Sequence, residues 1–192
     1  MLLPKETLVI PKKAQQMIEM KIFGIVGWSG SGKTYLMKQL LPELLRRGLS
    51  VSTMKHTHHD FDIDKPGKDS HMHREAGAHE VLITGSRRWA ILHENRNAKE
   101  PNIDDLLTRM EKVDLVLIEG FKSYGHAKLE VYRPDVGKTL MASDDKSIVA
   151  VASDVSLVVN RATCLDLNDI SAIADYIVTH CGFSNQVQNG TT

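Results

Sequence analysis

The chain has 192 residues, and its 24 Lys and Arg balance its 24 Asp and Glu, so the formal net charge is zero. This length is typical of one domain, and a hydrophobic fraction of 42% excludes wholesale disorder. The balanced charge disfavours a nucleic-acid-binding arm, and no run approaches the ~20 apolar residues that a membrane span needs.

The two ends of the chain differ from its body. Residues 1–20 are mixed and polar, with two prolines, and predict an N-terminal extension without a signal peptide. Residues 184–192 are polar and predict a disordered tail. One domain is expected over 21–183. Its two cysteines, Cys164 and Cys181, lack the spacing of a metal site or a disulfide framework, which predicts reduced thiols in a cytoplasmic protein.

Strand-like and helix-like segments alternate within this domain. Apolar runs predict strands over 21–26, 49–55, 80–84, 88–93, 113–118, 129–132 and 147–152. Apolar residues at helical spacing predict helices over 32–47, 69–77, 102–110 and 169–181. Gly85-Ser86 predicts a hairpin turn, and Pro42 predicts a kink in the first helix. The alternation predicts an α/β fold, with a mostly parallel sheet flanked by helices.

A glycine-rich motif joins the first strand to the first helix. Residues 27–34 read GWSGSGKT, which is the P-loop pattern G-x-x-x-x-G-K-[ST]. Glycines let the backbone wrap a phosphate, and the amides of 29–33 can converge on its oxygens. Lys33 would bridge the β- and γ-phosphates, and the Thr34 hydroxyl would ligate Mg²⁺. The fold class predicted is therefore a P-loop NTPase.

Two carboxylates are candidates for the magnesium ion and the attacking water. Glu119 ends the apolar run 113–118, at the strand end where ligands bind in such sheets, whereas Asp114 stands at the far end. Asp69 stands at a predicted helix start, where it either caps the helix or contacts Mg²⁺ directly or through water.

A histidine-rich segment follows the second strand. Residues 55–64 read KHTHHDFDID, and three interpretations stay open: contact with a nucleotide or partner, a Zn²⁺ or Ni²⁺ site, or a solvated loop. Arg74 follows this segment and either meets phosphate or a partner carboxylate or stays solvated.

These motifs together resemble the MobB family of molybdopterin-guanine dinucleotide biosynthesis adaptors, over roughly residues 21–182. The resemblance rests on GWSGSGKT at 27–34, KHTHHDFD at 55–62, DKPGKDS at 64–70, LIEGFK at 117–122 and VAVASD at 149–154. The family implies GTP and Mg²⁺ as ligands, weak GTP hydrolysis and a homodimer. It also implies a partner, the guanylyltransferase MobA, which joins GMP to molybdopterin, and possible contact with molybdopterin or its guanine dinucleotide.

The resemblance also implies roles for individual residues. The phosphates would be held by Ser29, Gly30, Ser31, Gly32, Lys33 and Thr34. Asp69 and Glu119 would act as catalytic groups and, with Thr34, surround the metal. The chain has no Asn-Lys-x-Asp motif for reading guanine. Asp154, which ends VAVASD, is the candidate for that role.

Two other functions compete with this interpretation. A nickel-handling GTPase chaperone would use His56–His59 as ligands, but the chain lacks the cysteine-bearing motif of such proteins. A small-molecule kinase would need a lid with arginines, and the segment 99–110 carries only Arg109. Weak hydrolysis is expected because no catalytic arginine is obvious in the chain.

Overall fold

The computed structural model describes residues 19–57 and 61–183. The predicted tail and all but the last two residues of the predicted extension lie outside these ranges. The chain forms two compact units, one of residues up to His56 together with those from Lys112 onwards, and one of Thr57–Glu111.

The strands are, in chain order, β1 (Lys21–Val26), β2 (Val51–Lys55), β3 (Glu80–Thr84), β4 (Trp89–His93), β5 (Leu115–Glu119), β6 (Lys128–Tyr132), β7 (Ile148–Ser153) and β8 (Thr163–Asp166). The helices are α1 (Lys33–Arg46), α2 (Asp69–Glu75), α3 (Ile103–Thr108) and α4 (Ile170–His180). Short 3₁₀ turns occupy Pro134–Val136 and Met141–Ser143. Among the described residues, no helix is long and apolar enough to cross a membrane.

A six-stranded sheet in the order β2-β5-β1-β6-β7-β8 forms the first unit, and every pair in it is parallel. The predicted α/β fold is thereby confirmed. Strand β8 was not predicted, because its sequence TCLD is short and largely exposed. Strand β2 starts two residues later than expected. Ser50, just before it, binds the Asp114 carboxylate through its backbone N–H and its hydroxyl, at 2.7 and 2.6 Å.

Helix α1 covers one face of this sheet together with α4. Its buried positions Leu36, Leu40 and Leu44 recur every fourth residue and so share one face. Pro42 lies within the helix, which continues unbroken to Arg46. Gly48 follows with a φ of +84°, the left-handed conformation expected just past a helix end. Arg47, at this end, donates to Glu43 of α1 at 2.9 Å and pairs with Asp175 of α4 at 2.5 Å.

The opposite face of the sheet contains a row of buried polar side chains on and before β6. Leu129 belongs to the core beneath α1 and α4, and strand alternation points Lys128 and Glu130 to the other side. Lys128 is 1% exposed and pairs with Asp145 at 3.2 Å. Glu130 is fully buried and accepts hydrogen bonds from the N–H groups of Met141 and Ala142, at 3.0 and 2.8 Å.

His126 is the third member of this row. It is 8% exposed, and neither ring nitrogen has a hydrogen-bond partner within the described ranges. Burial, assisted by the nearby Lys128 ammonium, lowers the pKa of His126 from 6.5 to about 4. His126 and Lys128 pack against Gly24 of β1, where a β-carbon would lie 2.8 Å from Lys128 Cγ and closer still to the imidazole.

The second unit contains the predicted hairpin and an ion-pair cluster. Strands β3 and β4 pair antiparallel, with Leu82 opposite Ile91. Arg74 of α2 binds Asp62 and Glu94, each at 2.8 Å. The solvated interpretation of Arg74 is therefore wrong, because its guanidinium lies in an internal ion-pair cluster. Contact with phosphate or with a partner carboxylate stays a prediction.

The close packing at Gly24 gives a first prediction. Gly24→Ala should lower the free energy of unfolding by about 1–3 kcal/mol, because the new methyl group must displace buried side chains. Urea denaturation would measure the change. Gly125→Ala is the matched control, since a β-carbon there meets nothing within 4 Å. Equal effects of the two substitutions would contradict this account of the packing.

The buried imidazole gives a second prediction. The pKa of His126 is lower in the folded chain than in the unfolded one. The free energy of unfolding is therefore greatest above about pH 6.5 and decreases by roughly 3 kcal/mol as the pH falls to 4. Most of this loss precedes the titration of the carboxylates. His126→Gln, measured by thermal unfolding from pH 7 to 5, should remove the slope. An unchanged slope would assign it to other groups.

Candidate functional site

The glycine-rich loop links β1 to α1 at the carboxyl edge of the sheet. Gly27, Gly30 and Gly32 have φ angles of +150°, +81° and +98°, which side-chain-bearing residues rarely adopt. Gly32 is also the N-cap of α1, and no side-chain hydrogen bond caps the helix there. The N–H groups of the first turn are thus left for an anion, which the helix dipole also favours.

Two side chains of this loop suit a phosphate ligand. Ser31 is 1% exposed, yet its hydroxyl has no hydrogen-bond partner among the residues described. Lys33 turns its ammonium back onto the loop and donates to the carbonyls of Gly27 and Trp28, at 3.1 and 2.9 Å. Burial lowers the pKa of Lys33, and the nearby Glu119 carboxylate opposes that shift. A half-buried cation and an unsatisfied hydroxyl fit an anionic group.

Glu119 lies beside the loop because β5 neighbours β1. Its Oε1 atom is 3.5 Å from the Thr34 hydroxyl oxygen. The next two residues, Gly120 and Phe121, have φ angles of +96° and +47°, so the chain turns sharply after the carboxylate. The sheet thus brings together two of the three predicted metal ligands. A hydroxyl and a carboxylate are oxygen donors of the kind that Mg²⁺ binds.

Asp69, the third predicted ligand, belongs to the second unit. It is the first residue of α2, and the N-cap is Lys68, without a capping side-chain bond. The capping interpretation of Asp69 is therefore wrong, and its role near magnesium stays a prediction.

Asp154 follows β7 at the same edge of the sheet as the loop. It lies on the wall of a cavity of about 340 Å³ at the ends of β7 and β8. The cavity is lined by Ser153, Asp154, Val155, Ser156, Leu157, Cys164, Leu165, Asp166 and Asn168. Two strand spacings, about 10 Å, separate β7 from β1. The cavity and the glycine-rich loop therefore lie about 10 Å apart along one edge of the sheet.

Arg133, which sequence analysis did not select, stands between the loop and Asp154. It follows β6, and its guanidinium pairs with the Asp154 carboxylate at 3.1 Å. A β-carbon on Gly32 would lie 3.6 Å from Arg133 Nε, so the guanidinium also borders the loop. The expectation that the chain has no obvious catalytic arginine stays a prediction, but Arg133 is an arginine beside the loop. A charged residue directly after an apolar strand, the signal that selected Glu119, would also have selected Arg133.

The other side of the loop carries further positive charge. Trp28 donates from its indole N–H to the Thr139 carbonyl at 2.8 Å. The Lys122 ammonium lies 4.5 Å from the centroid of the indole ring, a cation–π contact. Lys122 and Lys33 thus place positive charge around the loop, which suits a phosphate.

The histidine-rich segment is described in part. Residues 58–60 fall outside the described ranges, so the interpretations that involve them stay predictions. The His56 ring lies 4.4 Å from that of Phe121. Among the described residues, no group of three or more His, Cys, Asp or Glu side chains could hold a metal ion.

Comparisons with known proteins agree with these features. Residues 22–154 match the family model described as molybdopterin guanine dinucleotide synthesis protein B, MobB. The molybdopterin-guanine dinucleotide biosynthesis adapter protein of Escherichia coli is 41% identical over 172 residues, which are 88% of this chain and 95% of that protein. The adapter protein of Haemophilus influenzae is 41% identical over 161 residues, which are 83% and 88% of the two chains.

Solved structures give the same result at the level of the fold. A crystal structure of molybdopterin-guanine biosynthesis protein B aligns with a TM-score of 0.66 and 26% identity, covering 83% of this chain and 99% of that one. The family model spans most of the described sheet, including the loop, Glu119 and Asp154. The chain therefore belongs to the MobB family of molybdopterin-guanine dinucleotide synthesis proteins.

Proposed function

We propose that this chain is a GTP-binding accessory protein of molybdopterin-guanine dinucleotide biosynthesis, which aids the guanylyltransferase in forming or delivering that dinucleotide. The proposal rests on one observation. A single edge of the sheet carries both a loop suited to phosphates and a cavity suited to a base. The glycine loop at β1 suits phosphates, and the Asp154 cavity at β7 suits a base.

The phosphates would be held by the backbone of residues 29–34 and by Lys33. On binding, the Lys33 ammonium would leave the Gly27 and Trp28 carbonyls, which it now contacts, for phosphate oxygens. Thr34 and Glu119 would hold Mg²⁺, which neutralises charge on the phosphate oxygens when bound.

Asp154 would read the base. A carboxylate accepts hydrogen bonds and donates none at neutral pH. Guanine presents two adjacent donors, N1–H and the 2-amino group, and these can fill both carboxylate oxygens. Adenine presents an unprotonated N1 at the equivalent position, which a carboxylate repels. The site as proposed therefore favours GTP over ATP.

GTP hydrolysis would be slow, with Glu119 as a catalytic group beside Thr34. The partner is the guanylyltransferase, the active form is a homodimer, and the location is the cytoplasm. The exposed apolar side chains of the hairpin, Leu82, Trp89 and Ile91, are a surface that a second copy would cover.

Calorimetric titration tests the nucleotide assignment. GTP with Mg²⁺ should bind at least tenfold more tightly than ATP, and Lys33→Ala should weaken GTP by a further tenfold or more, through loss of a charge-assisted contact. Lys38→Ala, an exposed lysine on the same helix, should leave both affinities unchanged. A preference for ATP, or a Lys33→Ala protein with unaltered affinity, would refute the proposal.

Cysteine alkylation tests where the base lies. Cys164 is exposed and lines the Asp154 cavity, whereas burial raises the pKa of Cys181 to about 11. Since thiolates are the reactive form, iodoacetamide should modify Cys164 first. GTP should slow that reaction several-fold, and equimolar ATP should not. Peptide mass spectrometry would follow both sites, with Cys181 as the internal control. Unprotected Cys164 in GTP-saturated protein would exclude this cavity as the base site.

A further inference from the structure

Arg133 occupies a position that the proposed function leaves unexplained. It lies at the end of β6, the strand between the phosphate loop on β1 and the Asp154 cavity on β7. The guanidinium is held on one side by Asp154, at 3.1 Å, and borders Gly32 on the other. One cation thus adjoins both halves of the nucleotide site.

The hydrogen bonding of this guanidinium is incomplete. Nε of Arg133 is buried and finds no partner in the described part of the chain. Ser31 Oγ is the other buried group near the loop that has no hydrogen-bond partner among the described residues. A buried donor without an acceptor is costly. Anionic oxygens at the loop would satisfy Arg133 Nε, which lies on the Gly32 side of the guanidinium.

The ion pair with Asp154 conflicts with guanine recognition at the same carboxylate. Arg133 already holds Oδ2 of Asp154. A guanine edge with two donors takes both oxygens of that carboxylate, so it competes with Arg133 for Oδ2. A base without the two donors leaves the ion pair intact.

We propose that Arg133 is a specificity-determining residue, which neutralises Asp154 in the nucleotide-free protein and transfers to the phosphate chain when guanine binds Asp154. The inference rests on the proposed function. The full set of phosphate contacts then forms only when guanine has displaced Arg133 from Asp154. The phosphates of GTP gain a contact with Arg133. When ATP binds, the guanidinium stays paired with Asp154 and makes no such contact.

The test compares wild type, Arg133→Ala and Arg133→Lys in titrations with GTP and ATP. Arg133→Ala should weaken the affinity for GTP roughly 10- to 100-fold, the scale of a hydrogen bond to a charged group. It should change the affinity for ATP by less than about threefold. Arg133→Lys retains the charge and should recover part of the GTP affinity. Arg46→Ala, an exposed arginine about 20 Å away at the other end of α1, is the control and should match wild type.

Guanosine separates this role from a structural one. It carries no phosphate, so Arg133 can only compete with it for Asp154. Protection of Cys164 from alkylation by guanosine should therefore be as strong in Arg133→Ala as in wild type, or stronger. Equal weakening of GTP, ATP and guanosine would overturn the inference in favour of a structural role. Unchanged GTP affinity in Arg133→Ala would also overturn it.

Wild-type protein without a preference for GTP would refute the proposed function and this inference together. Wild-type protein that prefers GTP, with a preference undiminished in Arg133→Ala, would refute the inference alone.

Discussion

The parallel direction of all six strands is the constraint on which the rest of the structure depends. Parallel strands end at one edge, and neighbouring ends lie about 4.8 Å apart. The order β5-β1-β6-β7-β8 therefore sets Glu119, the glycine loop, Arg133 and Asp154 side by side. Glu119 and Asp154 are 35 positions apart in the chain and three strands apart in the sheet. A reversed β6 or β7 would carry its polar residue to the opposite edge.

The buried polar row on β6 explains why that strand can hold a charged group in place. Lys128 is tied to Asp145, and Glu130 to the backbone of the turn at Met141–Ser143. Both contacts join β6 to the segment that leads into β7. The strand that ends at Arg133 is therefore held by side-chain bonds on one face and by the apolar core on the other. Removing either partner would leave a buried charge, which is costly.

Sequence reasoning worked where the signal is local and failed where it depends on a partner distant in the chain. The strand–GWSGSGKT–helix unit and the hairpin at 80–93 carry their own periodicity and turn residues, and the structure has both. The exposed four-residue strand β8 has no apolar run, so its pairing with β7 is invisible in sequence. The ion pairs of Arg74 within the chain were not predicted, because its partner Glu94 lies 20 residues away.

The candidate site shows the same difference between local signals and contacts between distant residues. The phosphate loop and Glu119 are adjacent to apolar strands and could be found from sequence. The pairing of Arg133 with Asp154 could not, since it depends on the neighbouring positions of β6 and β7. Asp69 was left with two possible roles, a helix cap or a magnesium contact. Helix α2 begins at Asp69 as predicted, but its N-cap is Lys68.

The strand order also determines when the chain can fold during its synthesis. Among the described residues, β1 pairs only with β5 and β6, and β2 pairs only with β5. Neither early strand has a sheet neighbour until residue 119 has left the ribosome, 64 residues after β2 ends. At about 5–20 residues per second, this is a wait of roughly 3–13 seconds. The apolar segment KIFGIV has no sheet partner during this wait, and exposed apolar strands of this kind favour aggregation.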